Sequence, residues 1–330
     1  MKVLVTARMP EEVLAQIRRE HEVESYTEDP PIDRQSLLRL LPDREGLLCT
    51  ITDAIDEELL DRGPNLRVIA NYGVGFEHID VAAATRRGIP VTNTPGVLTD
   101  ATADLAFALV LATARRLVEG DKRVRDGKFT YWSPLLFLGV EVSGKTLGII
   151  GLGRIGRAMA QRARGFGMRV LYFSRTPLPP DEEQELSASF APLENLLAEA
   201  DFVSLHVPLT PETRHLIGRR ELALMKPTAR LINTARGPVV DEGALVEALR
   251  QGRLGGAGLD VYEQEPQLTP GLTDLDNVVL LPHMGSATIE TRTKMGLMAA
   301  ANLLAGLKGE RPPNCLNWTE LQDKNKGGAA

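Results

Sequence analysis

Residues 146–156 read Thr146-Leu147-Gly148-Ile149-Ile150-Gly151-Leu152-Gly153-Arg154-Ile155-Gly156. The first five form an apolar run of strand length, and a helical pattern follows over residues 154–166. A lone glycine triplet is weak evidence, but strand, glycine turn and helix in this order is the plan of a dinucleotide-binding βα unit. Each glycine has its own reason. Gly151 permits the tight turn, Gly153 lets a pyrophosphate approach the backbone, and Gly156 lets helix and strand pack closely. The turn residues Arg154 and Ile155 open the helix, whose unpaired N–H groups and positive dipole end favour an anion. The competing reading is a structural turn without a ligand.

Outward from this turn, short apolar runs alternate with helical patterns over almost the whole chain, which predicts repeated βα units and parallel sheets. In the first part, strands are expected at residues 2–7, 23–26, 46–51, 67–71 and 90–92. Amphipathic stretches lie between them, at 11–20, 34–41 and 56–62. A long Ala- and Leu-rich helical pattern then runs over about 100–125. A second block of strands follows at 146–150, 169–173, 202–206, 230–234, 256–260 and 278–281. The last helical pattern, 289–307, has no strand after it and is expected to pack back on the first lobe. The fold class is therefore α/β with two doubly wound parallel-sheet lobes. A Rossmann cofactor domain (99–285) is inserted in a discontinuous, flavodoxin-like substrate domain (1–98 and 286–330). The polar, Gly/Ala-rich tail from Asp323 is expected to be mobile.

With 330 residues, two compact lobes are the prior, and 43% apolar residues suffice for sizeable cores. The net charge of −6 and pI of 5.6 argue against nucleic acid as a partner, because phosphate binding needs clustered Lys and Arg. The Arg-rich stretch 154–169 has helical spacing and reads as a solvated helix face. There are two cysteines, Cys49 in an apolar run and Cys315, without a CxxC or a His-rich tract. No disulfide framework and no metal site is expected, and a reducing compartment is the natural setting. The opening residues read as a strand rather than a signal sequence, and no apolar stretch approaches the ~18 residues of a membrane span. A cytoplasmic protein is expected.

The strand after the turn ends at Phe173-Ser174-Arg175-Thr176. A site selective for NAD(H) places an Asp or Glu there to bind the ribose 2′-hydroxyl. Here Ser174 offers no carboxylate to repel a 2′-phosphate and Arg175 offers a guanidinium to pair with it. NADP(H) is favoured; the alternative is that Arg175 stacks on adenine and NAD(H) binds too.

Three further residues follow expected strands, where ligands bind in open α/β sheets. Arg236 follows 231–235, Glu265 follows 258–262 and His283 follows 279–282. Singly, each reads as a surface charge or packing residue; together, beside a dinucleotide turn, they suit reduction of a 2-keto acid. Arg236 suits the substrate carboxylate through a planar fork. His283 suits protonation of the carbonyl oxygen, and Glu265 suits holding and charging that imidazole.

The segments NYGVGFEHID (71–80), GLGRIG (151–156), NTARGPVVDEGAL (233–245), GLDVYEQEP (258–266) and LPHMGSAT (281–288) resemble the D-isomer-specific 2-hydroxyacid dehydrogenases, over about residues 2–316. The resemblance implies that Arg236, Glu265 and His283 are that family's catalytic Arg, Glu and His. It implies that Asp260 helps hold the nicotinamide and that backbone at Val74 and Gly75 meets the substrate carboxylate. Thr102, Val207 and Pro208 would line the cofactor with Gly285, while Thr234, Ala235 and Arg236 flank the nicotinamide ribose.

Within the family, residues 46–56, 94–106 and 128–139 and the YFSRT strand end are most similar to the glyoxylate/hydroxypyruvate reductases. This implies reduction of glyoxylate to glycolate and of hydroxypyruvate to D-glycerate by a homodimer. Trp132 corresponds to a tryptophan that reaches the neighbouring subunit's substrate pocket in some relatives, or it simply packs in the interface. A rival within enzymes is 3-phosphoglycerate dehydrogenase, which would prefer an acidic residue at Ser174 and often carries a regulatory extension; D-lactate dehydrogenase is argued against by the same strand end. The rival from another class is a dinucleotide-sensing, non-enzymatic binding protein like the family's transcriptional corepressors, disfavoured by short termini.

Overall fold

The computed structural model describes residues 1–327, with side chains described through Asp323. The chain divides into two compact units, Met1–Leu98 with Thr288–Ala330, and Thr99–Ala287.

The first unit begins β1 (Lys2–Val5), α1 (Glu11–Arg18), β2 (Glu22–Ser25), α2 (Arg34–Leu40), β3 (Gly46–Cys49), α3 (Glu57–Arg62), β4 (Val68–Asn71), α4 (Val81–Arg86) and β5 (Val91–Thr92). Its five strands are all parallel, in the order β2-β1-β3-β4-β5. This is the flavodoxin-like order. Helices cover both faces, which is why β3 and β4 read as unbroken apolar runs rather than alternating ones. Leu4, Leu47, Cys49 and Ile69 pack on one side with Leu37 and Leu59. Val3, Val5, Leu48 and Val68 pack on the other with Val13 and Ile17.

The second unit contains α5 (Thr99–Arg115), α6 (Leu117–Arg125), β6 (Thr146–Ile150), α7 (Arg154–Gly165), β7 (Arg169–Phe173), α8 (Pro180–Leu186), β8 (Ala188–Phe190), α9 (Leu193–Glu199), β9 (Phe202–Leu205), α10 (Arg219–Leu224), β10 (Arg230–Asn233), α11 (Glu242–Arg250), β11 (Gly256–Leu259) and β12 (Val278–Leu280). Its seven parallel strands run β12-β11-β10-β9-β6-β7-β8. From β6 the chain winds outward through β7 and β8, then returns to β9 on the other side of β6. The strand order therefore reverses between β6 and β9, the crevice where such sheets bind ligands.

The chain then re-enters the first unit. Helix α12 (Ile289–Leu307) lays Ala299, Ala300, Leu303 and Leu307 on the apolar face shared by Val3, Val5, Leu48 and Val68, as its missing strand led one to expect. Helix α13 (Trp318–Gly327) continues past Asp323, where a mobile tail is expected; residues 328–330 lie outside the described residues. Among the described residues no helix is long and apolar enough to cross a membrane.

Two expectations are corrected. The three-residue strand β8 gave no apolar run, because two of its three positions are exposed. The single helix expected over 100–125 is instead two, divided at Arg116, which adopts a left-handed φ of 54°. The Ala114 carbonyl accepts from Val140 N–H at 2.9 Å, and Gly139 packs against that same carbonyl. Arg116 forks onto Glu119 at 2.8 and 2.6 Å and lies 4.0 Å from the Phe137 ring centroid. The returning segment thus takes the place of the next helical turn.

A Cβ at Gly139 would run into the Ala114 carbonyl oxygen. Gly139→Ala is expected to destabilise the second unit by about 1–3 kcal/mol. Denaturant unfolding checks this; an unchanged midpoint would remove the proposed cause of the helix break.

Candidate active site

The glycine turn is built as its sequence requires. Gly151 has φ +95°, a conformation that L side chains rarely adopt, and a Cβ there would stand 2.7 Å from the His206 carbonyl. Gly151 N–H donates to Phe173 O at 2.9 Å and His206 N–H to Ile150 O at 2.8 Å, which locks the ends of β6, β7 and β9 together. Gly156 is buried and leaves no room for a methyl group against the Gly151 carbonyl. Gly153, by contrast, caps α7 and is open: no atom lies within 4 Å of where its Cβ would stand. The first N–H groups of α7, Arg154 and Ile155 among them, have no partner within the helix, so with this open glycine before them the turn fits a phosphate-bearing cofactor.

Ser174 and Arg175 follow β7. Ser174 Oγ donates to Thr176 O at 2.6 Å and shapes the turn, while Arg175 and Thr176 are exposed. Val207 and Pro208 follow β9 at the point where the strand order reverses. Just before them, His206 Nε2 lies 2.9 Å from Ser204 Oγ, and burial pushes its pKa down to about 3. Nothing in its sequence neighbourhood singles out this neutral histidine.

The candidate residues Arg236, Glu265 and His283 follow three adjacent strands. In the parallel register Asn233 pairs with Leu259 and Leu259 with Leu280, so the loops that follow begin at one level. His283 Nδ1 and Glu265 Oε2 are 2.7 Å apart, each side chain about one-third exposed. Glu265 Oε1 accepts from Tyr262 N–H at 2.9 Å. Burial pushes the Glu265 carboxyl up, but the His283 hydrogen bond and charge, the Tyr262 N–H and the charge of Arg236 outweigh it. Its pKa therefore lies below the ordinary glutamate value. Glu265 is thus ionised at neutral pH, and whatever it contributes is lost only as pH falls through that lowered value.

Asp260 gathers the backbone around His283. Its carbonyl accepts from His283 N–H at 2.9 Å, and its carboxylate accepts from Met284 and Gly285 N–H at 2.7 and 2.8 Å. His283 has φ +52°, which costs a non-glycine residue on the order of 1 kcal/mol, and these three bonds hold it there. Thr102 of α5 stands beside the same loop, with Oγ1 3.6 Å from where a Gly285 Cβ would be.

Arg236 is set by Asn233, a buried residue at the end of β10. Asn233 Oδ1 accepts from Ala235 N–H at 3.0 Å and Nδ2 donates to Arg236 O at 2.9 Å. Thr234 and Ala235 lie within this turn, and Arg236 Nη1 donates to Ala235 O at 2.7 Å. Gly237 presses on the Tyr262–Glu263 peptide so closely that no Cβ fits. Tyr262 hydroxyl, its pKa pushed up to about 12 by burial, remains a donor and reaches Leu281 O at 2.9 Å. The three loops are therefore tied to one another. Asn233 and Tyr262 escaped sequence reading because their partners are backbone groups, of its own turn for Asn233 and of the next loop for Tyr262.

In the first unit, Val74 is exposed and Gly75 half-buried. Asn71 Nδ2 donates to the Gly73 and Gly75 carbonyls at 3.2 and 2.7 Å, and Asn93 Nδ2 to Val74 O at 2.9 Å. Trp132 lies in the segment after α6 with 76% of its surface exposed.

Comparison with known proteins agrees with this geometry. The family described as D-isomer specific 2-hydroxyacid dehydrogenase, NAD binding domain, matches residues 107–285. A glyoxylate reductase of Thermococcus litoralis is 53% identical over 320 residues, covering 96% of each chain. The crystal structure of the TT0316 protein from Thermus thermophilus superposes with a TM-score of 0.90 at 52% identity, over 96% of this chain and 100% of that one. An NADPH-dependent glyoxylate/hydroxypyruvate reductase of Sinorhizobium meliloti, solved with NADP and malonate, gives a TM-score of 0.85 at 34% identity, over 96% of each chain.

The two glycines predict opposite phenotypes. Gly156→Ala meets the Gly151 carbonyl and should lower thermal stability, whereas Gly153→Ala meets nothing in the protein. Gly153→Ala should leave the melting temperature unchanged yet weaken dinucleotide binding on the order of tenfold, about 1.4 kcal/mol, in a fluorescence titration. Undiminished binding would show that the phosphate does not lie there.

Proposed function

The chain belongs to the D-isomer-specific 2-hydroxyacid dehydrogenase family, and from that premise we propose that it reduces glyoxylate to glycolate and hydroxypyruvate to D-glycerate, with NADPH preferred to NADH. It is an NAD(P)-dependent dehydrogenase acting on 2-keto acids. The observation that carries the finer reading is the His283–Glu265 pair at 2.7 Å with the Arg236 charge close enough to act on it.

In this proposal Arg236 pairs with the substrate carboxylate and fixes the keto group beside His283. The Gly151–Gly156 turn would hold the cofactor's pyrophosphate, and Thr102, Val207, Pro208, Thr234 and Asp260 would line the rest of it; bound there, the cofactor would supply the hydride. His283, protonated, donates from Nε2 to the carbonyl oxygen as negative charge develops there. Its Nδ1–H stays on Glu265, which orients the ring. In the oxidative direction neutral His283 accepts the proton from the hydroxyl group.

The preference for NADPH rests on Ser174 and Arg175: no carboxylate opposes a 2′-phosphate, and an exposed guanidinium stands next to it in sequence. A homodimer is proposed on the apolar surface of α6 and the segment after it, where Val124, Phe129, Tyr131, Trp132, Leu135 and Leu138 are each more than half exposed. Trp132 is the candidate within it to approach a second copy's substrate. The free cysteines Cys49 and Cys315 suit a cytoplasmic setting.

Steady-state kinetics on glyoxylate, hydroxypyruvate and phosphohydroxypyruvate with each cofactor test the reading. The highest kcat/KM is expected for the first two with NADPH; phosphohydroxypyruvate far ahead would favour phosphoglycerate chemistry, and no turnover on any of them a sensor. His283→Ala should lower kcat on the order of 100-fold or more with little change in KM, whereas Arg236→Ala should also raise KM strongly. Retained turnover in His283→Ala would refute the proton-donor role.

A further inference from the structure

A second glutamate grips the loop that presents Glu265. Glu242, the first residue of α11, is 2% exposed. Its Oε1 accepts from Glu263 N–H at 2.7 Å and its Oε2 from Thr269 Oγ1 at 2.5 Å. These two donors lie on either side of Glu265 in the chain. Glu242 N–H also faces Glu263 Oε2 at 3.4 Å, and Glu263 Oε1 meets His215 Nε2 at 2.6 Å.

Withdrawing a carboxyl group from water is costly, and capping the helix does not require it. Asp241 already caps α11, accepting from Ala244 N–H at 2.9 Å. Burial raises the pKa of Glu242, and the neighbouring carboxylates of Glu263 and Glu265 raise it further, against the opposing hydrogen bonds from Thr269 and Glu263. A buried acid kept beside two other carboxylates is an expensive way to fill a core position. Its geometry, both oxygens on the two flanks of one loop, shows what it obtains in return.

We infer that Glu242 is a positioning residue for proton transfer: by holding both flanks of the 263–269 loop it keeps Glu265 aimed at His283 Nδ1. The inference rests on the reading of His283 as the proton donor. Glu242 touches neither His283 nor the reacting atoms, and acts through the loop backbone. Tyr262 N–H fixes one Glu265 oxygen, so Glu265 needs only the loop's stability to place the other on the imidazole.

The test compares the full-length chain with Glu242→Ala and Glu242→Gln, using glyoxylate and NADPH. Glutamine keeps an oxygen to accept from Glu263 N–H and gains an amide that can donate to Thr269 Oγ1, so it can hold the loop without charge. Glu242→Ala should lower kcat on the order of tenfold to 100-fold with KM little changed, since misplacement of about 1 Å suffices for such losses. Glu242→Gln should recover most of kcat. Wild-type kcat in Glu242→Ala, or glutamine as poor as alanine, would overturn the inference. Should Glu242→Ala fail to fold, Thr269→Val, which releases one flank only, is expected to lower kcat severalfold, and unchanged kcat there would overturn it equally. His283→Ala in the same assay separates the two levels. If it is active, the proton-donor reading fails; if it is inactive while Glu242→Ala matches the wild type, only the role of Glu242 fails.

Discussion

The register of three parallel strands is the constraint on which the active residues depend. With Asn233 opposite Leu259 and Leu259 opposite Leu280, β10, β11 and β12 end together, and Arg236, Glu265 and His283 leave the sheet from neighbouring loops at one height. A slip of one residue would turn each strand's side chains to the opposite faces and offset the loops. The burial of these strands on both sides forbids that slip, because Leu231, Ile232, Ala257 and Leu259 are all withdrawn from water. Hydrophobic packing thus fixes the position of the polar chemistry.

Register alone does not aim side chains. That is done by polar groups whose partners are backbone atoms of their own or adjacent loops. Asp260 collects three consecutive N–H groups and keeps His283 at positive φ; Asn233 closes the turn before Arg236; Tyr262 reaches from the Glu265 loop to Leu281. Asn71 does in the first unit what Asn233 does in the second, closing the Gly73–Gly75 turn from the end of its own strand. A buried carboxamide at a strand end serves both turns, Asn233 with its donor and acceptor together and Asn71 with its donor alone.

Much of this was legible in the sequence, for physical reasons. Strands buried on both faces leave continuous apolar runs, so most strands among the described residues were expected where they lie; β8, short and two-thirds exposed, leaves no such run. The glycine turn was legible because each glycine answers a steric demand, and the Arg, Glu and His because each follows an apolar run. The break at Arg116 was not, since the helical pattern continues through it and its cause, the return of Gly139 and Val140 onto Ala114, lies more than twenty residues downstream. Asn233, Tyr262, Glu242 and His206 were missed as well. Tyr262 and Glu242 act through contacts between loops, which one sequence shows only singly, and Asn233 and His206 through a turn and a burial that only the folded chain defines.

The account turns on His283 carrying the proton that the keto oxygen receives, with Glu265 orienting the ring. The most direct measurement is the pH dependence of kcat/KM for glyoxylate reduction and for glycolate oxidation by the wild-type enzyme. Reduction should fall with rising pH as His283 gives up its proton, and oxidation should rise over the same interval. Reduction that stays flat through that interval, or two profiles that move together, would contradict the account.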